Sequence, residues 1–129
     1  MPEINDVILV VEDNQVTLSL IRDSLVKAGF KVHTETNGFD ALVAIDRDRP
    51  ALVIADVMMP RLSGLDLLKA TRNRQETAEI PFLLVSALDS AENVEAGLGL
   101  GATDYLTKPF KVTELLGKVR HHLRSRSTE

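Results

Sequence analysis

Short apolar runs alternate with longer amphipathic segments along this chain. The runs are VILVV at 7–11, KVHTE at 31–35, ALVIA at 51–55, PFLLVS at 81–86 and TDYLT at 103–107. All have the length of strands. Three are apolar almost throughout, which fits strands covered on both faces, as in a parallel sheet. KVHTE alternates, as a strand near a sheet edge would. Between the runs, apolar residues recur at helical spacing. Leu18, Ile21, Leu25 and Ala28 mark the first helix, and Gly29 offers it a C-terminal cap. Val112, Leu115, Leu116, Val119 and Leu123 mark the last. Helices over about 38–47, 64–75 and 90–98 complete the series. Gly97, Gly99 and Gly101 crowd the end of the fourth and weaken its pattern.

Five βα units predict an α/β fold. Parallel strands joined by right-handed helical crossovers give a doubly wound sheet. The expected order is 2-1-3-4-5, the flavodoxin-like arrangement, with its ligand crevice beyond the carboxyl ends of strands 1 and 3. Asp13 follows strand 1 and Asp56 ends strand 3, so the topology brings both to one crevice. The folded unit is expected over 1–123, with a tail at 124–129.

Composition narrows the classes. At 129 residues the chain has one domain's length. There are no cysteines, so disulfides and thiolate metal sites are excluded. The net charge is -4 and the basic residues are scattered, so nucleic acid is not expected as a partner of this domain alone. No apolar stretch approaches the roughly 20 residues of a membrane helix. The start, MPEIND, lacks a basic-then-apolar signal pattern. A cytoplasmic domain without a membrane partner is the expectation.

Glu12, Asp13 and Asp56 would place up to three negative charges close together. Unpaired, they would raise one another's pKa values. A hard divalent cation such as Mg²⁺ resolves the conflict with oxygen ligands. Lys108, at the end of strand 5, adds a fixed positive charge on the same edge. A metal-held aspartate is a nucleophile for phosphoryl groups, with metal and lysine balancing charge on the transferred group. Ser86, ending strand 4, could donate a hydrogen bond to that group. Taken singly, each has a simpler reading: Asp13 or Ser86 as the cap of the helix that follows. The five together favour chemistry.

At these residues the sequence resembles the receiver domain of two-component response regulators, of the chemotaxis-regulator kind. The likeness runs from about Asp6 to Leu123. VVEDN resembles the acidic pair after strand 1. DVMMPRLSG resembles the phosphoacceptor loop, with proline four and glycine eight residues after the aspartate. VSAL resembles the strand-4 hydroxyl motif, GATDYLTKPF the strand-5 aromatic and lysine-proline motif, and AGFKVHTETNGFDAL the strand-2 region. The resemblance implies that Asp56 accepts phosphoryl from a phosphohistidine of a sensor histidine kinase or histidine phosphotransfer protein. Asp13, Asp56 and the Met58 backbone carbonyl would bind Mg²⁺, or Mn²⁺ in its place, with Glu12 direct or through water. Lys108 would pair with the phosphoryl group. Ser86 and Tyr105 would carry the switch, and the Lys108–Pro109 bond would be cis. A downstream protein target would read the face of helix 4, strand 5 and helix 5, which also suits a phosphorylation-dependent dimer.

The resemblance implies a self-modifying switch rather than an enzyme on external substrates. Serine replaces the commoner threonine at position 86. Met58 and Leu88 flank the path of the attacking water in this family, and both are apolar here, which would slow hydrolysis of a phosphoaspartate. No output domain fits in 129 residues. A stand-alone receiver is the first expectation, with an N-terminal receiver fragment of a larger regulator or hybrid kinase as the alternative. A receiver-like binding module that is never phosphorylated is a second alternative, opposed by the intact set of site residues. A flavin carrier would want hydroxyls and glycines where EDNQVT stands. A phosphatase with an aspartyl nucleophile would want an acid at Met58.

Without the resemblance, Tyr105 reads as a half-buried packing residue. Met58 and Met59 read as exposed loop or gap-filling packing. His121 and His122 point in different directions on a helix and suit a solvated helix end. Lys118, Arg120, Arg124 and Arg126 suit a helix C-terminus.

Overall fold

Apolar runs and amphipathic segments fold into strands and helices in strict alternation. The computed structural model describes residues 6–127, with side chains through Leu123. The elements are β1 (Val7–Val11), α1 (Gln15–Lys27), β2 (Lys31–Glu35), α2 (Gly38–Asp48), β3 (Leu52–Asp56), α3 (Gly64–Asn73), β4 (Phe82–Ser86), α4 (Ala91–Gly99), β5 (Asp104–Thr107) and α5 (Val112–Ser127). One parallel sheet has the order β2-β1-β3-β4-β5. This is the flavodoxin-like doubly wound fold expected from the pattern. The side chains of the tail expected at 124–129, including Arg124 and Arg126, lie outside those described.

The central strands are apolar throughout because both their faces are covered. Leu9, Val53, Phe82 and Leu84 meet α2 and α3 on one face. Ile8, Ile54, Leu83 and Leu106 meet α1 and α5 on the other. β3 and β4 are buried along their whole length, whereas β2, at the edge, is not. Burying each such side chain contributes roughly 1.5–3 kcal/mol.

Helix ends follow local chemistry. Asn14, not Asp13, caps α1 and accepts the Thr17 N–H at 3.0 Å, so Asp13 is left free for other work. At the other end Ala28 is the cap residue and Gly29 adopts φ +97°. Gly29 N–H reaches Val26 and Phe30 N–H reaches Leu25, the double bond pattern of a Schellman ending. Ser63 and Asp66 form a reciprocal capping box on α3.

The pole away from the crevice is fastened by side chains. Arg72 on α3 donates to the carbonyls of Gly101 and Ile80 at 2.8 and 2.7 Å. Asp104, at the start of β5, is gripped from α5. Lys118 Nζ lies 3.1 Å from each of its oxygens, and His122 Nε2 donates at 2.9 Å. The expectation of a solvated His122 is therefore corrected: with a side chain 14% exposed, it packs on β5, while His121 is exposed. One turn separates Lys118 from His122, so a single carboxylate meets both.

Burial works against the ionised Asp104, but the bonds from His122, the Tyr105 N–H and Lys118 outweigh it and hold its pKa below the ordinary carboxyl value. The stability this clasp supplies is present above the unfolded carboxyl pKa of about 3.9 and is lost as pH falls through the lowered folded value. Asp104→Asn should cost about 1–2 kcal/mol at neutral pH. Urea unfolding across pH should show that difference shrinking under acid conditions.

Candidate functional site

The register of the sheet gathers four charged side chains at one edge. Val11 pairs with Ala55 and Asp56 with Val85, so Glu12 and Asp56 leave neighbouring strands side by side. Ser86 pairs with Thr107, which places Lys108 at the same edge. Glu12 is 1% and Asp56 7% exposed, while Asp13 faces solvent. Glu12, Asp13 and Asp56 each offer one carboxylate oxygen, all within 4.8 Å of one another.

Lys108 bridges the two buried acids. Its Nζ lies 2.9 Å from Glu12 Oε1 and 3.0 Å from Asp56 Oδ2. Backbone donors take further lone pairs: Asn14 N–H on Glu12 Oε2 at 3.2 Å, and Met58 N–H on Asp56 Oδ1 at 3.0 Å. Burial pushes the Glu12 carboxyl up to about 7; Asp56 adds to that push, and Lys108 and Asn14 oppose it. Burial disfavours the Lys108 ammonium, but its bonds to Glu12 and Asp56 prevail and hold its pKa above the ordinary lysine value. The site thus carries more carboxylate than its single lysine offsets. Its all-oxygen donors suit a hard divalent cation, and exposed Asp13 leaves room for retained water.

Ser86 ends β4 at the same edge, its carbonyl accepting the Lys108 N–H, and Tyr105 on β5 is linked to it. The Ser86 hydroxyl, fully buried, accepts the Leu88 N–H at 3.0 Å. It does not cap α4; Ser90 does. The Tyr105 hydroxyl donates to the Leu88 carbonyl at 2.7 Å. Tyr105 is 8% exposed, more deeply placed than a half-buried packing residue. The Leu88 backbone therefore joins the two, a role its side chain gives no hint of. The Lys108–Pro109 bond is cis.

The loop after Asp56 is tightly folded. Gly64 N–H returns to the Val57 carbonyl at 3.0 Å. A Cβ at Gly64 would stand 2.2 Å from the Asp56 carbonyl oxygen. Gly64 is thus required by space. The strained residue is Arg61, at φ +70°, inside a three-residue turn closed by Leu62 N–H on the Pro60 carbonyl at 2.9 Å. The methionines part company: Met59 is buried in the core, and Met58 is 61% exposed beside the site. Leu88 is partly buried against the same core.

The response regulator receiver domain family matches residues 8–120. Response regulator MprA of Mycobacterium leprae (strain TN) is 41% identical over 117 residues, covering 91% of this chain and 50% of that protein. The chain thus spans about half the length of such relatives. The receiver domain of Francisella response regulator 1452 is 34% identical with a TM-score of 0.88, covering 95% of this chain and 99% of that one. The receiver domain of sensor histidine kinase PA1611 from Pseudomonas aeruginosa PAO1 has a magnesium ion coordinated in its active site cleft. It is 28% identical with a TM-score of 0.85, covering 92% of this chain and 98% of that one. Among the described residues, no helix is long and apolar enough to cross a membrane.

Gly64→Ala forces the Asp56 carbonyl and the loop apart. It should cost about 1–3 kcal/mol, the usual range for overpacking, or more because backbone must move. Urea denaturation against the parent chain measures it.

Proposed function

The chain belongs to the response regulator receiver domain family, and on that premise we propose that Asp56 is its phosphoacceptor. The observation that carries this reading is the position of Asp56. It is buried, bonded to Lys108, and within reach of two further carboxylates at the crevice. A carboxylate oxygen of Asp56 attacks the phosphorus of a phosphohistidine. The P–N bond breaks, an acyl phosphate forms, and the imidazole leaves with a proton.

Glu12, Asp13 and Asp56, with the Met58 carbonyl, would hold Mg²⁺ or Mn²⁺. When bound, the ion offsets charge on the equatorial phosphoryl oxygens. Lys108 then exchanges a carboxylate for a phosphoryl oxygen, which its flexible stem allows. Met58 N–H holds Asp56 in orientation. The Ser86 hydroxyl turns to donate to the new phosphoryl group, and Leu88 and Tyr105 follow because both are bonded in sequence to Ser86. The change reaches the surface of α4, β5 and α5, where a downstream protein or a second phosphorylated copy binds. The donor is a sensor histidine kinase or a histidine phosphotransfer protein, and the setting is the cytoplasm. The domain catalyses its own phosphorylation and dephosphorylation alone.

Incubation with Mg²⁺ and a small phosphodonor should add one phosphoryl group, read by intact mass, and Asp56→Asn should add none. A folded parent chain that stays unmodified supports a binding module instead. Exposed Met58 beside Asp56 should slow attack by water. Met58→Asn should shorten the phosphoaspartate lifetime about fivefold, the rate equivalent of one hydrogen bond of roughly 1 kcal/mol. Leu88→Glu should act in the same direction, and unchanged lifetimes in both would remove this role.

A further inference from the structure

The most deeply buried residue of α4 has no side chain, and Val94 packs only partly against the core. Along this helix Gly97 is the buried position. It crosses above Leu84 and Tyr105, which are register partners on β4 and β5. A Cβ at position 97 would meet Leu84 Cδ1 at 2.9 Å and the Tyr105 ring at 3.2 and 3.3 Å. Leu84 is fully enclosed and has little room to yield. Tyr105, 8% exposed, lies nearer the surface. At its far end its hydroxyl is held by Leu88, whose N–H is held by Ser86. The ring therefore fills the space between the Ser86–Leu88 link and the bare backbone of α4. Gly99, one position from the helix C-cap, is different: a Cβ there would meet nothing within 4 Å.

We propose that Gly97 is a positioning residue for Tyr105: its missing side chain is what lets the ring lie inward under α4 with its hydroxyl on the Leu88 carbonyl. A methyl group at 97 turns out either the ring or the helix, and both leave Tyr105 more accessible. Linkage adds a consequence that rests on the phosphoacceptor reading. On that reading the phosphoryl group draws Ser86, and Leu88 and the ring with it, further inward, so disfavouring the inward ring weakens the hold of the site on that group by at most the same factor.

The chain has one tyrosine and no tryptophan, so intrinsic fluorescence reports Tyr105 alone. Acrylamide quenching is compared in the full chain, in Gly97→Ala and in Gly99→Ala, with thermal unfolding of each. Quenching should rise toward that of free tyrosine in Gly97→Ala and stay at the parent level in Gly99→Ala. Binding of beryllofluoride with Mg²⁺ should weaken about tenfold in Gly97→Ala, the scale of a modest overpacking cost. It should be unchanged in Gly99→Ala. Parent-like quenching in folded Gly97→Ala overturns the proposal. Raised quenching with unchanged beryllofluoride affinity overturns the coupling. If Gly97→Ala does not fold, it is made in a Tyr105→Ala background, where folding supports the proposal and continued failure overturns it. A parent chain that binds no beryllofluoride instead counts against the phosphoacceptor reading, and the quenching comparison is unaffected.

Discussion

Two carboxylates cannot sit side by side out of water unless something offsets their charge. In this chain the Lys108 ammonium does so, reaching Glu12 and Asp56 at once. The pairing spans 96 residues of sequence to Glu12 and 52 to Asp56. β5 is not a neighbour of β3, so the lysine must cross the end of β4, where its own N–H bonds the Ser86 carbonyl at 2.8 Å. Such a buried arrangement adds little net stability, but removing one partner leaves an uncompensated charge at high cost. The sheet order, the register and the strand ends must all hold for the three groups to meet. Burial is the main reason the Glu12 carboxyl is raised to about 7; Asp56 beside it adds to the rise, and Lys108 opposes it.

The fastenings of the fold are distributed unevenly around this centre. α1 and α5 bury Leu18, Ile21, Leu25, Leu115 and Val119 against the sheet, and α5 is clasped again by Asp104. Arg72 ties the chain just after α4 to α3 and to the start of β4. α4 itself buries a glycine. It follows Ser86 and Leu88 directly and is the helix with least side-chain attachment. Segments with few buried apolar contacts open at low free energy, so a change at Ser86 meets least resistance in α4.

Strand and helix identities were legible because each apolar run and each spacing of three or four records which faces are covered. Asp56 stood out as a candidate because a carboxylate closes a run that is otherwise buried, and the sheet register places it beside Glu12. Other positions carried no such signal. His122 looked like a solvated residue because nothing near it in sequence announces Asp104, which packs against it from β5. Arg61 in a left-handed turn was not foreseeable from its residue type. Gly64 and Gly97 were visible as glycines, but the reason for each is a neighbour brought close by folding: the Asp56 carbonyl in one case, Leu84 and Tyr105 in the other.

The sequence by itself determined the alternation of strands and helices, the covered faces of the sheet, and the set of acids, hydroxyl and lysine delivered to its carboxyl edge. These are local properties, written in periodicity and in the residues that end each run. The tertiary structure decided which oxygens Lys108 holds, how Leu88 joins Ser86 to Tyr105, and how near α4 lies to the sheet. Those depend on distances between segments far apart in the chain. Such distances arise from packing, whose fit to within a few tenths of an ångström is not encoded in any one segment.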